Sequence, residues 1–495
     1  MLKFTIDETA ARYVGRRNLQ RLRRRSIELA SPTQHMTRFS ISALLILVFA
    51  AHSAAENHTN QPNIVLVLFD DIGYGQPTSF RVESEFRMPN LDQMAAEGMR
   101  FTDAHSAAAN CTPTRYGLLT GRYPFRIGQF GVLKTYSPRI IPSTRPTVAS
   151  FLKQHGYHTA CIGKWHLGMN WVDGETGPEK QPPIGVQPPI GARHTGGPNE
   201  VGFDYFYGFT HARNIGSIIE QDRVVANVDS VENQPLMIQK ATQYLEQRAR
   251  KKGPFFLYFP MCPPHNPIVP APDFVGKGGI KGKESRYSDW VFQGDHMLGQ
   301  ILDTLKRTGL SENTLVIATG DNGAAKRDYP PLRDSKSSIY EGGHREPFVA
   351  LWPGRIQPNT VNQQTICLND LFATCADLLQ VQLPKTAAED SVSILPYLLG
   401  TAAKPVREAT VHQSPAGLAI RKGEWKMIFH RSGKHELFNL KSDLSETEDC
   451  SATHAAIREG MTELMQSYID RGRSTPGPSR KNDFEFSLSF QNLEE

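Results

Sequence analysis

The stretch Asn63-Ile-Val-Leu-Val-Leu-Phe69, followed directly by Asp70-Asp71, decides the fold predicted for this 495-residue chain. An apolar run with almost no polar interruption is typical of a strand buried on both faces, which favours a parallel sheet. The two carboxylates then lie at the carboxyl end of the strand, where open α/β sheets place their ligand sites. A second apolar run, 314–319, leads in the same way into Asp321-Asn322-Gly323.

Around these two strands the hydrophobic periodicity alternates between strand and helix. Residues 255–259 form another apolar run, and helical periodicity covers three segments, 91–98, 148–155 and 290–306. This alternation predicts the α/β class, with a mostly parallel sheet flanked by helices. Residues 172–200 are rich in proline and glycine and contain QPPIG twice, at 181–185 and 187–191. They indicate an irregular insertion, which either frames a binding cleft or forms a plain surface loop.

The pattern changes after about residue 400. Three short strand-like pieces and one helix follow each other, at 417–421, 425–430, 436–440 and 455–468. They predict a smaller C-terminal α+β subdomain, an antiparallel sheet with one helix. The expected organisation is a catalytic domain at 56–400, this subdomain at 401–475, and a polar tail at 476–495 that is loose from Gly472 onward.

The N-terminus accounts for the positive charge of the chain. The net charge is +5, but residues 1–55 hold nine Lys/Arg and three Asp/Glu, so the rest, with 46 basic and 47 acidic groups, has a net charge of −1. A nucleic-acid-binding surface is therefore not indicated. The apolar run 41–51 and the small residues before Asn57 are typical of a signal peptide at 36–55 that begins near Met36. We expect export to the periplasm or outside the cell, no membrane contact in the mature form, and a mis-called extension at 1–35.

The sharpest motif is Cys111-Thr-Pro-Thr-Arg115, continued by Tyr116-Gly-Leu-Leu-Thr-Gly121. It resembles the sulfatase signature C-x-P-x-R-x-x-x-L-T-G. Taken alone, it also fits a buried or disulfide-bonded cysteine at the start of a helix, and export permits disulfides among the six cysteines. Further segments resemble the same family in the same order, at 62–75, 88–98, 163–168, 202–208, 264–265, 321–323 and 341–347.

The resemblance implies an alkaline-phosphatase-like fold and a sulfuric ester hydrolase. Cys111 would be oxidised to formylglycine by a formylglycine-generating enzyme, and the hydrated aldehyde would attack sulfur to give a sulfated intermediate. One Ca²⁺ would be bound by hard oxygen donors, which calcium prefers, from Asp70, Asp71, Asp321, Asn322 and the modified residue 111. Asp321 would also take the proton of the nucleophile.

The same resemblance assigns roles to the basic side chains. The implied catalytic residues are Arg115, which fixes the formylglycine; Lys164 and Lys336, which bind sulfate oxygens; His166, which hydrogen-bonds the second hydroxyl; and His265, the general acid for the leaving alcohol.

One departure from the family pattern concerns Lys336. Relatives often have glycine before this lysine, whereas Asp334-Ser335 stand here, which indicates an altered leaving-group subsite. Residues 341–347 look closest to the arylsulfatase A and galactosamine-6-sulfatase branch, so we expect sulfated glycans, and also aryl sulfates, as substrates. Two alternatives stay open: a phosphonate monoester or phosphodiester hydrolase of the same superfamily, and a non-catalytic sulfated-glycan-binding protein in which Cys111 stays a thiol.

Overall fold

A ten-stranded sheet forms the centre of the described part of the chain, which in this computed structural model is residues 61–172 and 187–490. The extension 1–35, the signal peptide 36–55 and the first QPPIG copy lie outside the described residues. The strands are β1 Asn63–Asp70, β2 Met99–Phe101, β3 Ala104–His105, β4 His158–Lys164, β5 Asn170–Trp171, β6 His194–Thr195, β7 Tyr205–Phe209, β8 Ser217–Glu220, β9 Arg223–Asn227, β10 Phe255–Pro264, β11 Thr314–Gly320, β12 Phe348–Leu351, β13 Thr360–Asn362, β14 Ile366–Cys367, β15 Thr410–Ser414, β16 Gly417–Lys422, β17 Trp425–His430 and β18 His435–Asn439.

The central sheet is parallel in its middle, antiparallel toward its edges, and parallel again in the outermost pair, β13–β2. Its order is β13-β2-β12-β11-β1-β10-β4-β7-β8-β9. Strand β1 pairs in parallel with β10 and β11, and β4 pairs in parallel with β10 and β7. The pairs β11–β12, β12–β2, β7–β8 and β8–β9 are antiparallel. The predicted α/β class with a mostly parallel sheet is therefore confirmed.

Helices cover both faces of this sheet. They are α1 Pro89–Glu97, α2 Cys111–Thr120, α3 Val148–Gln154, α4 Ser230–Ala249, α5 Ser285–Arg307, α6 Glu341–His344, α7 Leu371–Leu378, α8 Leu395–Leu398 and α9 Ala455–Asp470. Ile64, Leu66 and Leu68 of β1 pack in one apolar cluster with α2, α3 and α7. Val65 and Val67 point the other way, into a second cluster with α1, α4 and α5. Because successive side chains of a strand alternate between faces, an all-apolar strand needs a helical layer on each side.

The predicted C-terminal antiparallel sheet with one helix is also confirmed. Its strand order is β15-β16-β17-β18, and α9 packs on it through Met461 and Met465, against Leu418 and Met427 among others. Strand β15 was not predicted. It lies beside 107–109, where Ala109 donates its N–H to the carbonyl oxygen of Gln413 at 2.8 Å. The subdomain is thereby attached directly to the segment that leads into Cys111.

The expectation of a loose tail after Gly472 is wrong for residues 473–490. Phe486 and Phe490 are each only 7% exposed and join the apolar cluster of the C-terminal sheet. The backbone N–H of Asp483 donates to the carbonyl oxygen of Arg126 at 2.9 Å. The segment is polar overall but contains a few phenylalanines. Burial of their side chains is enough to hold the segment against the C-terminal sheet.

None of the helices in the described residues is long and apolar enough to cross a membrane. The six cysteines are all unpaired, and five of them are buried. The second QPPIG copy, 187–191, lies along the edge of the sheet, where Gly191 donates its N–H to the carbonyl oxygen of Val224 at 2.8 Å.

Candidate active site

Two polar pairs meet because β1 and β11 are neighbours in parallel register. Phe69 is paired with Gly320, so Asp70-Asp71 and Asp321-Asn322 leave the sheet side by side. The backbone N–H of Asp71 donates to Asp321 Oδ1 at 3.1 Å, and Asn322 Nδ2 donates to Asp71 Oδ1 at 2.7 Å. Asp71 adopts a left-handed backbone conformation, with φ 68°, which is uncommon outside glycine and turns its side chain toward the second pair.

Cys111 is the first residue of α2, and it is 1% exposed. Its Sγ lies 3.4 Å from Asp70 Oδ1 and 4.0 Å from Asp71 Oδ1. Lys336 Nζ donates to the same sulfur at 3.3 Å. Burial raises the pKa of the Cys111 thiol, although the two nearby lysines oppose this. As a thiol, Cys111 is therefore a poor nucleophile at neutral pH, because the thiolate is the reactive form.

Arg115 follows Cys111 by one helical turn and points into the same region. Its guanidinium donates to Asp321 Oδ2 from Nε at 3.1 Å and from Nη2 at 2.8 Å, and Nη1 donates to the carbonyl oxygen of Lys164 at 3.0 Å. The guanidinium of Arg115 thus holds Asp321 rather than the side chain of Cys111. Two charge-assisted hydrogen bonds from one guanidinium to the same oxygen, Oδ2, hold the carboxylate of Asp321 in place.

Asp70 and Asp321 differ in how easily they lose a proton. Burial opposes ionisation of Asp70, but the surrounding cations, Lys164 first, outweigh it and hold the pKa of Asp70 well below its ordinary range. Burial raises the pKa of Asp321, and the proximity of Asp70 adds to this against the pull of Arg115. Asp321 is therefore the carboxylate of the site best suited to accept a proton.

Two lysines approach the nucleophile position from different elements. Lys164 ends β4 and is fully buried, with Nζ on Asp70 Oδ2. Lys336 lies in the loop before α6, with Nζ 2.5 Å from Asp71 Oδ1. Burial lowers the pKa of each, but the carboxylates raise it more, so both stay protonated. Gly163, with φ 130°, permits the close approach of β4 to β10, because a Cβ there would meet the carbonyl oxygen of Pro260 at 2.0 Å.

His166 has a defined tautomer. Its Nε2 lies 3.2 Å from the carbonyl oxygen of Leu133, which only accepts, so Nε2 carries the proton. Its Nδ1 is buried without a hydrogen-bond partner and has a free lone pair. Burial, followed by His211, lowers the pKa of His166 well below its ordinary value. His166 is thus a neutral acceptor beside the nucleophile position.

His265 lies at the end of β10 with its ring edge toward the acidic pair. Nδ1 donates to the carbonyl oxygen of Asn266, and Nε2 is 3.8 Å from Asp71 Oδ2. The side chain is 19% exposed, so it reaches the open part of the site. Burial lowers the pKa of His265, while Asp70 and Asp71 oppose the shift.

A cavity of about 460 Å³ opens over these groups. Its lining includes Cys111, Lys336 and all three of His166, His211 and His265. Arg213 also lines it, whereas none of the described residues 187–200 does. From the sequence, substrate specificity is expected in residues 172–200, around 210–214 and in the C-terminal subdomain, but His211 and Arg213 are not singled out as site residues.

The acidic cluster fits a hard divalent cation. Ligand atoms of Asp70, Asp71, Cys111 and His265 lie within 4.8 Å of one another. Asn322 Oδ1 is buried without a hydrogen-bond partner, although Asn322 Nδ2 is satisfied. An orphaned amide oxygen beside two carboxylates is the donor set that Ca²⁺ accepts. Asp70, Asp71, Asp321 and Asn322, with the oxidised side chain of residue 111, would hold the ion.

A second buried cluster ties α6 to the C-terminal sheet. Lys426 Nζ lies 3.1 Å from Glu341 Oε1, 2.8 Å from Glu446 Oε1 and 3.0 Å from His344 Nε2. The side chains of Lys426 and both glutamates are completely buried. Residues 341–347 were recognised as a motif from the sequence, but Lys426 and Glu446 were not connected with it.

A family model described as Sulfatase matches residues 62–381. The chain is 33% identical over 444 residues to arylsulfatase A of Homo sapiens, covering 83% of this chain and 81% of that protein. It is 29% identical over 501 residues to an N-acetylgalactosamine-6-O-sulfatase of Bacteroides thetaiotaomicron, covering 84% of this chain and 94% of the relative.

Two solved bacterial structures have a similar fold. One, described under the metabolism of multiple glycosaminoglycans by Bacteroides thetaiotaomicron, has a TM-score of 0.72 and 27% identity, covering 82% of this chain and 99% of that one. The phosphonate monoester hydrolase of Agrobacterium radiobacter has a TM-score of 0.58 at 18% identity, covering 82% of this chain and 95% of that one. The second likeness concerns the fold alone.

Proposed function

The chain belongs to the sulfatase family, and from this premise we propose that it hydrolyses organic sulfate esters with a formylglycine made from Cys111 beside one bound Ca²⁺. The observation that carries the proposal is the position of Cys111. Its sulfur lies between a carboxylate, Asp70 at 3.4 Å, and an ammonium group, Lys336 at 3.3 Å, at the floor of an open cavity. The oxygens of the oxidised side chain would take the place of this sulfur.

Calcium, when bound, would neutralise sulfate charge and make the nucleophile more acidic. Asp321 is positioned to accept the proton of the nucleophile, because burial and Asp70 raise its pKa. Arg115 holds that carboxylate through two hydrogen bonds from one guanidinium. We therefore assign proton acceptance to Asp321 and its orientation to Arg115.

The sulfate group carries negative charge that grows on its oxygens during transfer. Lys164 and Lys336 place two permanently protonated ammonium groups next to the nucleophile position. Fixed positive groups in a buried site stabilise such charge more than water does, because they need no reorganisation. These lysines are proposed to bind the sulfate oxygens.

The two catalytic histidines are proposed to act on different protons. His265 reaches the open side of the site, where it would donate a proton from Nε2 to the leaving alcohol. His166 presents the unprotonated Nδ1 and would accept the proton of the second hydroxyl when the bound sulfate is released. The free lone pair suits the accepting role.

Carbohydrate sulfates are the proposed natural substrates, with aryl sulfates as artificial ones. The support is that the relatives named above include an N-acetylgalactosamine-6-O-sulfatase and an arylsulfatase. Export through the signal peptide at 36–55 and maturation by a formylglycine-generating enzyme are part of the same proposal.

The decisive experiment compares matched aryl sulfate, phosphate monoester and phosphonate monoester substrates. The protein used should carry formylglycine at position 111, as shown by mass spectrometry of that peptide. We expect sulfate to be preferred by orders of magnitude. A preference for a phosphorus ester would overturn the substrate class. Protein whose Cys111 stays a thiol in a host with a formylglycine-generating enzyme would favour the binding role, and absence of turnover by fully oxidised protein would contradict the proposed function.

A further inference from the structure

The cavity at the nucleophile position is also lined by a cation that the proposed mechanism does not use. Arg213 lines the cavity and is exposed to solvent. No carboxylate of the described residues lies within ion-pair distance of its guanidinium. The described lining of the cavity contains no aspartate or glutamate at all. The carboxylates next to this lining, Asp70 and Asp71, are already paired with Lys164 and Lys336. The guanidinium of Arg213 is therefore available to an anionic group that enters the cavity.

Hydrogen bonds fix the backbone of the turn that carries Arg213, whereas the Arg213 side chain has no ion-pair partner among the described residues. Asn214 is completely buried, and its Oδ1 accepts from the backbone N–H of His211 at 3.1 Å and from Thr210 Oγ1 at 2.9 Å. The backbone N–H of Arg213 donates to His211 Nδ1 at 2.9 Å. A side chain held on a fixed backbone loses less entropy when it binds a ligand than one on a mobile loop.

The same turn is joined to the catalytic machinery. The backbone N–H of His166 donates to the carbonyl oxygen of Thr210 at 2.8 Å, and the rings of His166 and His211 meet edge-on at 4.3 Å. Because His211 Nδ1 accepts a hydrogen bond, its Nε2 carries the proton and can donate to a ligand. Arg213 thus has a fixed relation to the site of sulfur chemistry.

We propose that Arg213 binds a second oxyanion of the substrate, located on the leaving-group side of the sulfate ester. This inference rests on the proposed function. The reacting sulfate is served by Lys164 and Lys336 at the cavity floor, so an anion at the rim has to belong to the alcohol portion of the molecule. The preferred substrates are then saccharides that carry a carboxylate or another sulfate near the ester that is cleaved.

The test measures kcat/KM for four substrates with formylglycine-bearing protein. They are 4-nitrophenyl sulfate, a hexosamine monosulfate, the same hexosamine with a second sulfate, and a disaccharide of the monosulfated hexosamine with a uronic acid. The variants are Arg213→Gln and the matched control Arg223→Gln. Arg223 is an exposed arginine on β9 that pairs with Asp222 at 3.2 Å and does not line the cavity.

We expect at least one dianionic saccharide to be preferred over the monosulfate, and Arg213→Gln to reduce that preference about five- to tenfold, as for a partly exposed ion pair with hydrogen bonds. Arg223→Gln should leave the preference unchanged. A ratio of rates is not altered by a loss of folded protein, so a merely structural effect of the substitution would not imitate this result.

The two saccharide arms identify the source of the anion. A loss confined to the uronic acid disaccharide assigns a carboxylate, and a loss confined to the disulfated hexosamine assigns a sulfate. An unchanged preference in Arg213→Gln overturns the inference while turnover of 4-nitrophenyl sulfate leaves the proposed function standing. If oxidised protein hydrolyses none of the four esters, the proposed function fails, and this inference fails with it.

Discussion

Replacement of Lys426 by methionine should lower the free energy of unfolding by about 3–5 kcal/mol. Lys426 is the cation shared by Glu341 and Glu446, and all three side chains are fully buried. Without it, Glu341 keeps Arg345 at 3.2 Å, whereas Glu446 has no other ion pair among the described residues. Removal of one partner from a buried pair costs about 3–5 kcal/mol, because a charge is left without compensation.

The measurement is the free energy of unfolding from urea titration followed by tryptophan fluorescence. Lys441→Met is the matched control, since the Lys441 side chain is 81% exposed and its Nζ lies 3.7 Å from Glu424. Its effect should stay below about 0.5 kcal/mol. The double variant Lys426→Met/Glu446→Gln should recover much of the stability, because the uncompensated charge is then absent.

The direction in which the stability of Lys426→Met changes with pH follows from the pKa of Glu446. Burial raises the pKa of Glu446 even with Lys426 present, and loss of the lysine raises it further. A carboxyl with a raised pKa binds a proton more readily when folded, so stability increases as the pH falls toward the ordinary carboxyl range. The deficit of Lys426→Met should therefore shrink at acidic pH. A loss equal to that of Lys441→Met, or no recovery in the double variant, would refute the reasoning.

Three further outcomes concern turnover. Cys111→Ala should reduce hydrolysis of 4-nitrophenyl sulfate at least about a thousandfold, as for loss of a nucleophile, with the unfolding midpoint close to that of the parent. Asp321→Ala should lose bound calcium, measured by elemental analysis, together with activity, and activity that survives exhaustive chelation would contradict the metal assignment. His265→Asn should slow alkyl sulfates about 10²–10⁴-fold and aryl sulfates less, since phenolates leave more easily. Because burial lowers the pKa of His265, parental turnover of alkyl sulfates should fall as the pH rises toward neutrality, and a pH profile unchanged in His265→Asn would argue against the general-acid role.

The short-range features of the chain were readable without coordinates. The apolar run at 63–69 can be buried only with a layer on each side, so it predicts an α/β sheet, and the polar residues that end β1 and β11 mark the edge at which ligands bind. The motif at 111–121 adds a nucleophile position by its resemblance to the sulfatases. These inferences depend on residue type and local spacing, which a sequence contains in full.

Contacts between distant segments were decided only by the tertiary structure. Lys426 pairs with Glu446 and Glu341, and Phe486, in a tail of polar composition, packs on the C-terminal sheet. Both contacts join residues whose separation in the chain carries no periodic signal. The exposure of Arg213 on the cavity wall is of the same kind. Burial and ion pairing depend on which surfaces meet after folding. The sequence alone does not distinguish a charged residue that is solvated from one that is paired or one that contacts a substrate.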